Sequence, residues 1–416
     1  MIPSRLILCL TLTAPALLVG CGDDDGPSDC PDCVDASIPV DGDSELDSST
    51  PPVDMAFDMG AACASGEPEP EAWDCSSDPG VADAEPITAD ADTWTWVPFD
   101  DAFCMDGSST GIGININPDS SKLLIFLEGG GACFDTFSCF GVANPNGYGS
   151  AQLAAAASGS TLNRGITDRS AADNPFADWN FVYVPYCSGD AHSGTNADGF
   201  GGRSQLGHTN YQSYITRIAA TFGDSVDEVV LGGRSAGGLG TVVNYPITAS
   251  AFGCTPVHML NDSGALLNDM YLRPCLQETT REVWGIAVPS ECERCACDDG
   301  GGLVNTLPYL ARRYPDANFA LLSYTADRTF RQFFSYGYTS RCDRPSTMPA
   351  EDYEAGLEAL RTLMASDDNF GTFYVTGESH TFTSGNLSGV SAGGVTLADW
   401  LQQFRTDDAA WTDVGP

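Results

Sequence analysis

Residues 229–240 read VVLGGRSAGGLG and decide the fold of this chain. Gly233 to Gly237 form a Gly-x-Ser-x-Gly motif, preceded by a β-rich apolar run and followed by a small-residue, helix-compatible run. A strand, a sharp turn and a helix in this order lift a serine hydroxyl clear of the carboxyl edge of a sheet. The flanking glycines permit the strained turn. The motif therefore predicts a nucleophile at Ser235 in a serine hydrolase, against the alternative of a plain tight turn in a glycine-rich chain.

A catalytic triad needs a histidine, which in α/β-hydrolases comes after the serine and the acid along the chain. Only His258 and His380 follow Ser235. His258 lies inside the apolar run CTPVHMLND, which is typical of a buried core histidine. His380 lies in the polar loop TGESHTFTSG, directly after the strand-like NFGTFYV. We therefore predict His380 as the general base.

The acid must lie between the serine and the histidine. Asp327 follows the strand-like NFALLSY, and Asp262 is its competitor after VHML. Asp262 comes only one strand after the nucleophile strand, which suits a structural or pocket-lining carboxylate better. The sequence favours Asp327, whose carboxylate would hold the imidazole in the right tautomer.

An oxyanion hole requires backbone N–H donors aimed at the developing charge. The segment KLLIFLEGGGACF supplies three glycines, Gly129 to Gly131, directly after a strong apolar strand. Such a loop and the residue after the nucleophile are the usual donors in esterases. We predict Gly129, Gly130 and Ala236 as the donors, and the alternative for the glycines is a flexible turn.

Six segments resemble, in chain order, the landmark segments of the pectin acetylesterase/Notum carboxylesterase family. They are LEGGGACF, VPYCSGDAHSG, GGRSAGGLG, NDSGALLND, SYTADRTF and ESHTF. The resemblance implies an α/β-hydrolase-like fold with the same triad and oxyanion residues, and a disulfide between Cys133 and Cys139. The chain departs from the family pattern at Ala132, where an aromatic residue is usual, and at Arg234, before the nucleophile. Both departures lie near the acyl pocket, so substrate specificity does not carry over.

The segment VPYCSGDAHSG supplies candidates for substrate binding at the carboxyl end of a strand. They are Tyr186, Ser188, Asp190 and His192, to which we add Arg234 beside the nucleophile. A purely structural role for the four residues of this segment is an equal alternative.

The amino terminus predicts export. Arg5 precedes a short apolar core, and Leu18 to Cys21 form a lipobox. We predict a lipoprotein signal peptide over residues 1–20 and a lipid anchor on Cys21, which would hold the protein in a bacterial cell envelope. An ordinary signal peptide with an incidental cysteine is the alternative.

Residues 21–92 are rich in Asp, Pro, Ser and Gly, which predicts a disordered acidic tether. The formal net charge of −39 argues against nucleic acid and against anionic lipid as partners. It would also repel a polyanionic substrate, unless the pocket is locally different. Membrane contact is therefore expected through the lipidated cysteine alone.

The cysteines agree with export. Of the 16 in the chain, removing Cys9 of the signal and Cys21 leaves an even number. Disulfides are expected outside the cytosol. Cys292, Cys295 and Cys297 have metal-ligand spacing, but no histidine is near, so disulfides are favoured over zinc. We expect neither a metal nor a cofactor.

Strand-like and helix-like runs alternate from residue 93 to residue 416. They predict one α/β-hydrolase-like domain, monomeric, with a mostly parallel sheet and helices on both faces. Disulfide-braced insertions at 140–175 and 275–300 are lid candidates.

These features together predict a serine carboxylic-ester hydrolase. It would remove acetyl or other short acyl groups, of about two to four carbons, from an extracellular glycan or a small ester. The alternatives are a catalytically inactive, surface-tethered glycan-binding protein on a hydrolase scaffold, a long-chain acyl deacylase and, more weakly, a peptidase.

Overall fold

An eight-stranded sheet forms the centre of the fold, with strand order β1-β2-β4-β3-β5-β6-β7-β8. The strands are β1 Thr95–Phe103, β2 Ser109–Asn115, β3 Lys122–Leu127, β4 Asn180–Val184, β5 Glu228–Arg234, β6 Val257–Asp262, β7 Phe319–Tyr324 and β8 Phe370–Val375. The pairs β1–β2 and β2–β4 are antiparallel. All other neighbours in the sheet, in the order β4-β3-β5-β6-β7-β8, pair in parallel. The computed structural model describes residues 69–406 except 79, 82, 339–341 and 345, together with residues 409–416.

The helices are α1 Ser150–Ser158, α2 Gly207–Phe222, α3 Ala236–Phe252, α4 Pro274–Trp284, α5 Thr306–Arg313, α6 Arg328–Phe334, α7 Ala350–Met364 and α8 Leu397–Arg405. Short 3₁₀ turns lie at Ser138–Gly141, Gly165–Thr167, Glu293–Cys295, Leu303–Asn305 and Leu387–Gly389. A two-stranded ribbon of β9 Ser391–Ala392 and β10 Val395–Thr396 precedes α8. Among the described residues, no helix combines the length and the apolarity needed to cross a membrane.

Alternation along the strands builds two cores, one on each face of the sheet. In β3, Leu123 and Ile125 face the larger core, which also holds buried residues of α2, α3, α5 and α7. Leu124 and Phe126 face the second core with residues of α1 and α8. Because both faces are covered, the central strands are continuous apolar runs. The prediction of an α/β-hydrolase-like fold with helices on both faces is confirmed.

The predicted tether needs a correction at its end, because several described residues between 69 and 92 are attached to the domain. Cys75 forms a disulfide with Cys254. The Trp73 ring packs on Tyr314 with centroids 5.3 Å apart, and Ile87 is buried. The average composition of an acidic segment does not reveal single apolar residues that pack on a domain. The predicted signal peptide, the anchor at Cys21 and tether residues 21–68 lie outside the described residues.

The two lid candidates differ in the structure. The segment 140–175 contains α1, whose Leu153 is buried in the second core against the sheet. This part of the segment is therefore core rather than lid. The segment 275–300 contains most of α4 and is braced by the disulfides Cys275–Cys342 and Cys292–Cys295. Trp284, at the end of α4, donates its indole N–H to the carbonyl oxygen of Cys133 at 2.8 Å, which ties the segment to the chain beyond the glycine loop.

Candidate active site

Ser235 occupies the turn between β5 and α3, with φ +55° and ψ −121°. This conformation is unusual for a residue with a Cβ, and it is the strained elbow that the motif predicts. A Cβ on Gly233 would collide with the carbonyl oxygen of Gly237, and one on Gly237 with that of Leu127. The Ser235 N–H donates to the carbonyl oxygen of Asp262 at 2.7 Å. These contacts fix the serine at the carboxyl edge of the sheet.

Three predicted residues come together at this edge. The Nε2 atom of His380 lies 2.8 Å from Ser235 Oγ, and its Nδ1 atom lies 2.7 Å from Asp327 Oδ2. Asp327 is fully buried, and its Oδ1 accepts the N–H groups of Thr329 and Phe330 at the start of α6. The carboxylate is therefore held in orientation by the helix that it caps. The arrangement can hold a Nδ1–H tautomer of His380, whose free Nε2 can accept the serine proton.

Asp262, the competing acid, forms no direct bond to His380. Its buried carboxylate accepts the N–H of Phe382 at 2.9 Å, and the N–H and hydroxyl of Thr383 at 2.8 and 2.7 Å. It therefore fixes the backbone immediately after the histidine. His258, the other histidine after Ser235, is buried in β6, and its Nδ1 accepts the Asn318 N–H at 2.9 Å.

The glycine loop runs directly beside the nucleophile. A Cβ on Gly129 would lie 2.8 Å from the Ser235 Cβ, so only glycine permits this approach. Within the described part of the chain, the N–H groups of Gly129 and Gly130 donate to no acceptor. Ala236 is the first residue of α3, where the N–H has no intrahelical acceptor. Free donors on both sides of Ser235 Oγ are what an oxyanion hole needs.

The four candidates of segment 186–192 do not face substrate space. Ser235 lines two cavities, one of about 110 Å³ and one of about 680 Å³. The side chains of Tyr186, Ser188, Asp190 and His192 are buried, and these residues line neither cavity. Their assignment to substrate binding is therefore corrected. The sequence places them at a strand's carboxyl end but does not reveal which way their side chains point. Their neighbour Ala191, which was not among the predicted site residues, lines the cavity of about 110 Å³ instead.

These buried residues support the glycine loop. The Tyr186 hydroxyl donates to the carbonyl oxygen of Gly131 at 3.0 Å, and the His192 Nε2–H donates to that of Glu128 at 2.8 Å. Burial lowers the pKa of His192 to about 4, which keeps the imidazole neutral at physiological pH. Asp190 accepts the Ser188 hydroxyl at 2.6 Å, although burial raises the pKa of its carboxyl. The network fixes the loop from beneath.

The chain beyond the glycine loop is closed by a disulfide between Cys133 and Cys139. A second disulfide joins Cys104 to Cys187, next to the buried network. Among the described residues, no group of His, Cys, Asp and Glu side chains is arranged to hold a metal ion.

Two cavities meet at Ser235, which lines both. The first, here called the apolar cavity, has a volume of about 110 Å³, and its walls are formed mainly by apolar side chains. They include Leu239, Val242, Leu266, Leu276, Trp284 and Phe334. The second, here called the open cavity, is wider, at about 680 Å³. Its walls include Phe137, Phe140, Arg234, Gln332, Arg344 and His380. Sequence reasoning missed the apolar cavity, because its apolar lining residues resemble ordinary core residues.

Comparisons with known proteins match this chain to two groups of esterases. The family profile described as Pectinacetylesterase matches residues 94–293. Palmitoleoyl-protein carboxylesterase notum2 of Xenopus laevis is 28% identical over 213 residues, which cover 46% of this chain and 43% of the relative. Pectin acetylesterase 5 of Arabidopsis thaliana is 28% identical over 153 residues, 34% of each chain. The chain thus spans less than half the length of these curated relatives.

The fold is shared with a solved structure of the Wnt deacylase Notum from Drosophila. The TM-score is 0.56 at 20% identity, and the match covers 78% of this chain and 95% of that one. The family profile and the matched relatives support the class of carboxylic ester hydrolases. Within that class, the matches support the pectin acetylesterase/Notum family.

Proposed function

We propose that this protein is a serine carboxylesterase that cleaves esters of a medium or long apolar acyl chain. The observation that carries the acyl part is the apolar cavity, which begins at Ser235 and reaches Leu303 and Thr306 near the start of α5. Its volume of about 110 Å³ exceeds the ~30 Å³ that one water molecule occupies in the liquid. The methyl of an acetyl group is close to that size and would leave most of the cavity empty.

In the proposed reaction, His380 takes the proton of Ser235 Oγ as the oxygen attacks the ester carbonyl. The carbonyl oxygen becomes an oxyanion, which the N–H groups of Gly129, Gly130 and Ala236 stabilise. Collapse of this intermediate breaks the bond to the alcohol oxygen, and the imidazolium of His380 returns its proton to that oxygen. Water, activated by His380, then attacks the acyl-serine and releases the carboxylic acid.

The wall composition favours the longer-chain alternative over the acetyl or short acyl group expected from the sequence. Burying each methylene in such a cavity contributes up to ~0.8 kcal/mol, so a long chain gains affinity that an acetyl group cannot. The relatives named palmitoleoyl-protein carboxylesterases agree, because that name denotes a long fatty acyl group. The contacts of His380 with Ser235 and Asp327 weigh against an inactive binding protein on the same scaffold.

We also propose that the protein is exported and anchored through acylated Cys21. The lipobox at Leu18 to Cys21 supports this proposal. The disulfides of the described domain, among them Cys75–Cys254 and Cys104–Cys187, suit an oxidising compartment. Anchoring would hold an esterase for apolar acyl chains near a lipid surface. Palmitate labelling that depends on Cys21 would test it.

The proposed acyl preference is tested with p-nitrophenyl esters of increasing chain length, below their critical micelle concentrations. We expect kcat/KM to rise at least ~50-fold from acetate to octanoate, which corresponds to about half of the free energy that six buried methylenes can contribute. The reason is that each added methylene enters the apolar cavity. A kcat/KM that peaks at acetate or butyrate and falls at octanoate would reject the acyl assignment and restore the short-chain prediction.

Ala132 should control the size of the acyl group. It lines the apolar cavity, so Ala132→Phe would fill space that an acyl chain needs. We expect the ratio of kcat/KM for octanoate over acetate to fall at least ~10-fold, with acetate turnover retained. The matched control is Ala154→Phe on the exposed face of α1. An unchanged ratio in folded Ala132→Phe would mean that the acyl chain binds elsewhere.

A further inference from the structure

The open cavity adjoins the apolar cavity at Ser235. The two cavities share Gly131, Ser235 and Phe333 and otherwise have different walls. If the acyl chain occupies the apolar cavity, as the proposed function requires, the alcohol portion of the ester must lie in the open one. The walls of the open cavity therefore indicate what kind of alcohol the protein accepts.

The charged residues in the walls of the open cavity differ from those of the protein as a whole. The chain has 57 acidic residues against 18 Lys and Arg. Among the described residues that line the open cavity there is no aspartate or glutamate, whereas Arg234 and Arg344 both line it together with His380. Two arginine residues thus line the cavity beside the nucleophile of a strongly acidic protein.

Arg234 is only loosely paired. Its Nη2 lies 3.6 Å from Glu128 Oε1, which is beyond hydrogen-bonding distance. Burial raises the pKa of the Glu128 carboxyl, which favours its neutral form and weakens its compensation of the arginine charge. Arg234 directly precedes Ser235 in the chain, and its guanidinium carbon lies 5.9 Å from the ring centroid of Phe126.

Arg344 is held by aromatic rings rather than by a close carboxylate. Its guanidinium carbon lies 4.7 Å from the ring centroid of Phe137 and 5.7 Å from that of Phe134. Within the described part of the chain, Nε and Nη2 are buried and have no hydrogen-bond acceptor, and Asp135 Oδ2 is 3.7 Å from Nη2. Buried donors without an acceptor are costly, and a ligand that supplies oxygen atoms would relieve that cost.

We propose that the open cavity is a subsite for an anionic group, a carboxylate or a phosphate, on the alcohol portion of the ester, held by Arg234 and Arg344. Guanidinium groups match both anions, because their planar N–H groups can donate in pairs to two oxygens. The exposed ring of Phe140 and the ring of Phe137 provide an apolar wall for the carbon skeleton that carries the anion. This inference rests on the proposed function, since it assigns the second half of the same substrate.

The experiment compares three octanoate esters of phenols that differ in the para substituent: a carboxylate, a phosphate and a neutral carboxamide. We expect Arg344→Gln and Arg234→Gln each to lower kcat/KM for the anionic esters at least ~10-fold more than for the carboxamide. The anion that loses more identifies the preferred group. The difference should shrink in 0.5 M NaCl, where the Debye length is only a few Å. Arg217→Gln, on α2 and away from both cavities, is the matched charge control.

A binding measurement separates this inference from the proposed function. With Ser235→Ala, which cannot form the acyl-serine, calorimetry should give a Kd for the anionic esters at least ~10-fold below that for the carboxamide. Adding Arg344→Gln should abolish the difference. If the wild type cleaves all three esters but neither arginine changes the anionic-to-neutral ratio more than Arg217→Gln does, the subsite is rejected and the esterase stands. If no ester is cleaved but the arginine-dependent Kd difference is present, the esterase is rejected and the subsite stands.

Discussion

Ser235→Ala is expected to lower kcat for p-nitrophenyl octanoate at least ~10⁴-fold. The substitution removes only the Oγ atom that lies 2.8 Å from His380 Nε2. The Ser235 N–H bond to Asp262 and the glycine contacts that shape the elbow do not involve that atom. The protein should therefore keep its fold and its melting temperature while losing the nucleophile.

The measurement pairs turnover with covalent labelling by a fluorophosphonate, read as a mass increase of the intact protein. The wild type should gain one label and Ser235→Ala none. Ser158→Ala, at the exposed end of α1, is the matched control and should label and turn over like the wild type. Undiminished turnover or labelling in Ser235→Ala would remove Ser235 from the proposed mechanism. A wild type that neither labels nor turns over esters would favour the binding-protein alternative.

Much of the sheet could be predicted because its strands are buried on both faces. The runs KLLIFL and EVVLGG coincide with β3 and β5 to within one residue. β1 was not predicted, because TWVPFDDAF contains Pro98 and two exposed aspartates. An edge strand has a partly exposed face and can carry such residues, so neither its pattern nor its propensity is distinctive.

The proximity of Ser235, Asp327 and His380 could be predicted from the sequence, because it depends on chain order and on parallel strands. Such strands end at the same edge of the sheet, which brings distant loops together. The apolar cavity could not be predicted in this way. Leu239, Leu276 and Phe330 come from α3, α4 and α6, and only tertiary packing decides that they surround empty space rather than fill it. The likeness to a family could not supply this information, because Ala132 departs from the family pattern.

The direction of side chains also limited the prediction. Segment 186–192 was correctly connected to the site, yet its Tyr186 and His192 point beneath the glycine loop. The backbone there is irregular, with φ of +54° at Ala191 and +55° at His192, so the alternation of a strand no longer applies. Residues 69–92 illustrate a related limit. A disulfide and a few apolar side chains attach them to the domain, although their composition resembles that of a tether.

Asp327→Asn is expected to lower kcat by about 10⁴-fold with little loss of stability. The N–H groups of Thr329 and Phe330 both donate to Oδ1, so the amide oxygen should take that position and keep capping α6. The amide NH₂ group must then face Nδ1 of His380, where it can only donate. This forces the proton onto Nε2, which can then no longer accept the proton of Ser235. The melting temperature should change little, because the helix cap remains.

Asp262→Asn should lower the stability of the protein more than its activity, which makes it the matched control. Oδ2 of Asp262 accepts hydrogen bonds from Phe382 and Thr383, and Oδ1 accepts from Phe382 and from the hydroxyl of Ser263. At either position, the NH₂ group of an amide would face the N–H of Phe382. Each lost bond to a buried charged group costs about 1.5–3 kcal/mol, which should lower the melting temperature by several degrees. Activity measured well below that temperature should fall far less than in Asp327→Asn, because the tautomer of His380 is unaffected. If Asp262→Asn instead loses the larger part of kcat at unchanged stability, while Asp327→Asn retains it, the acid of the proposed triad has been assigned to the wrong aspartate.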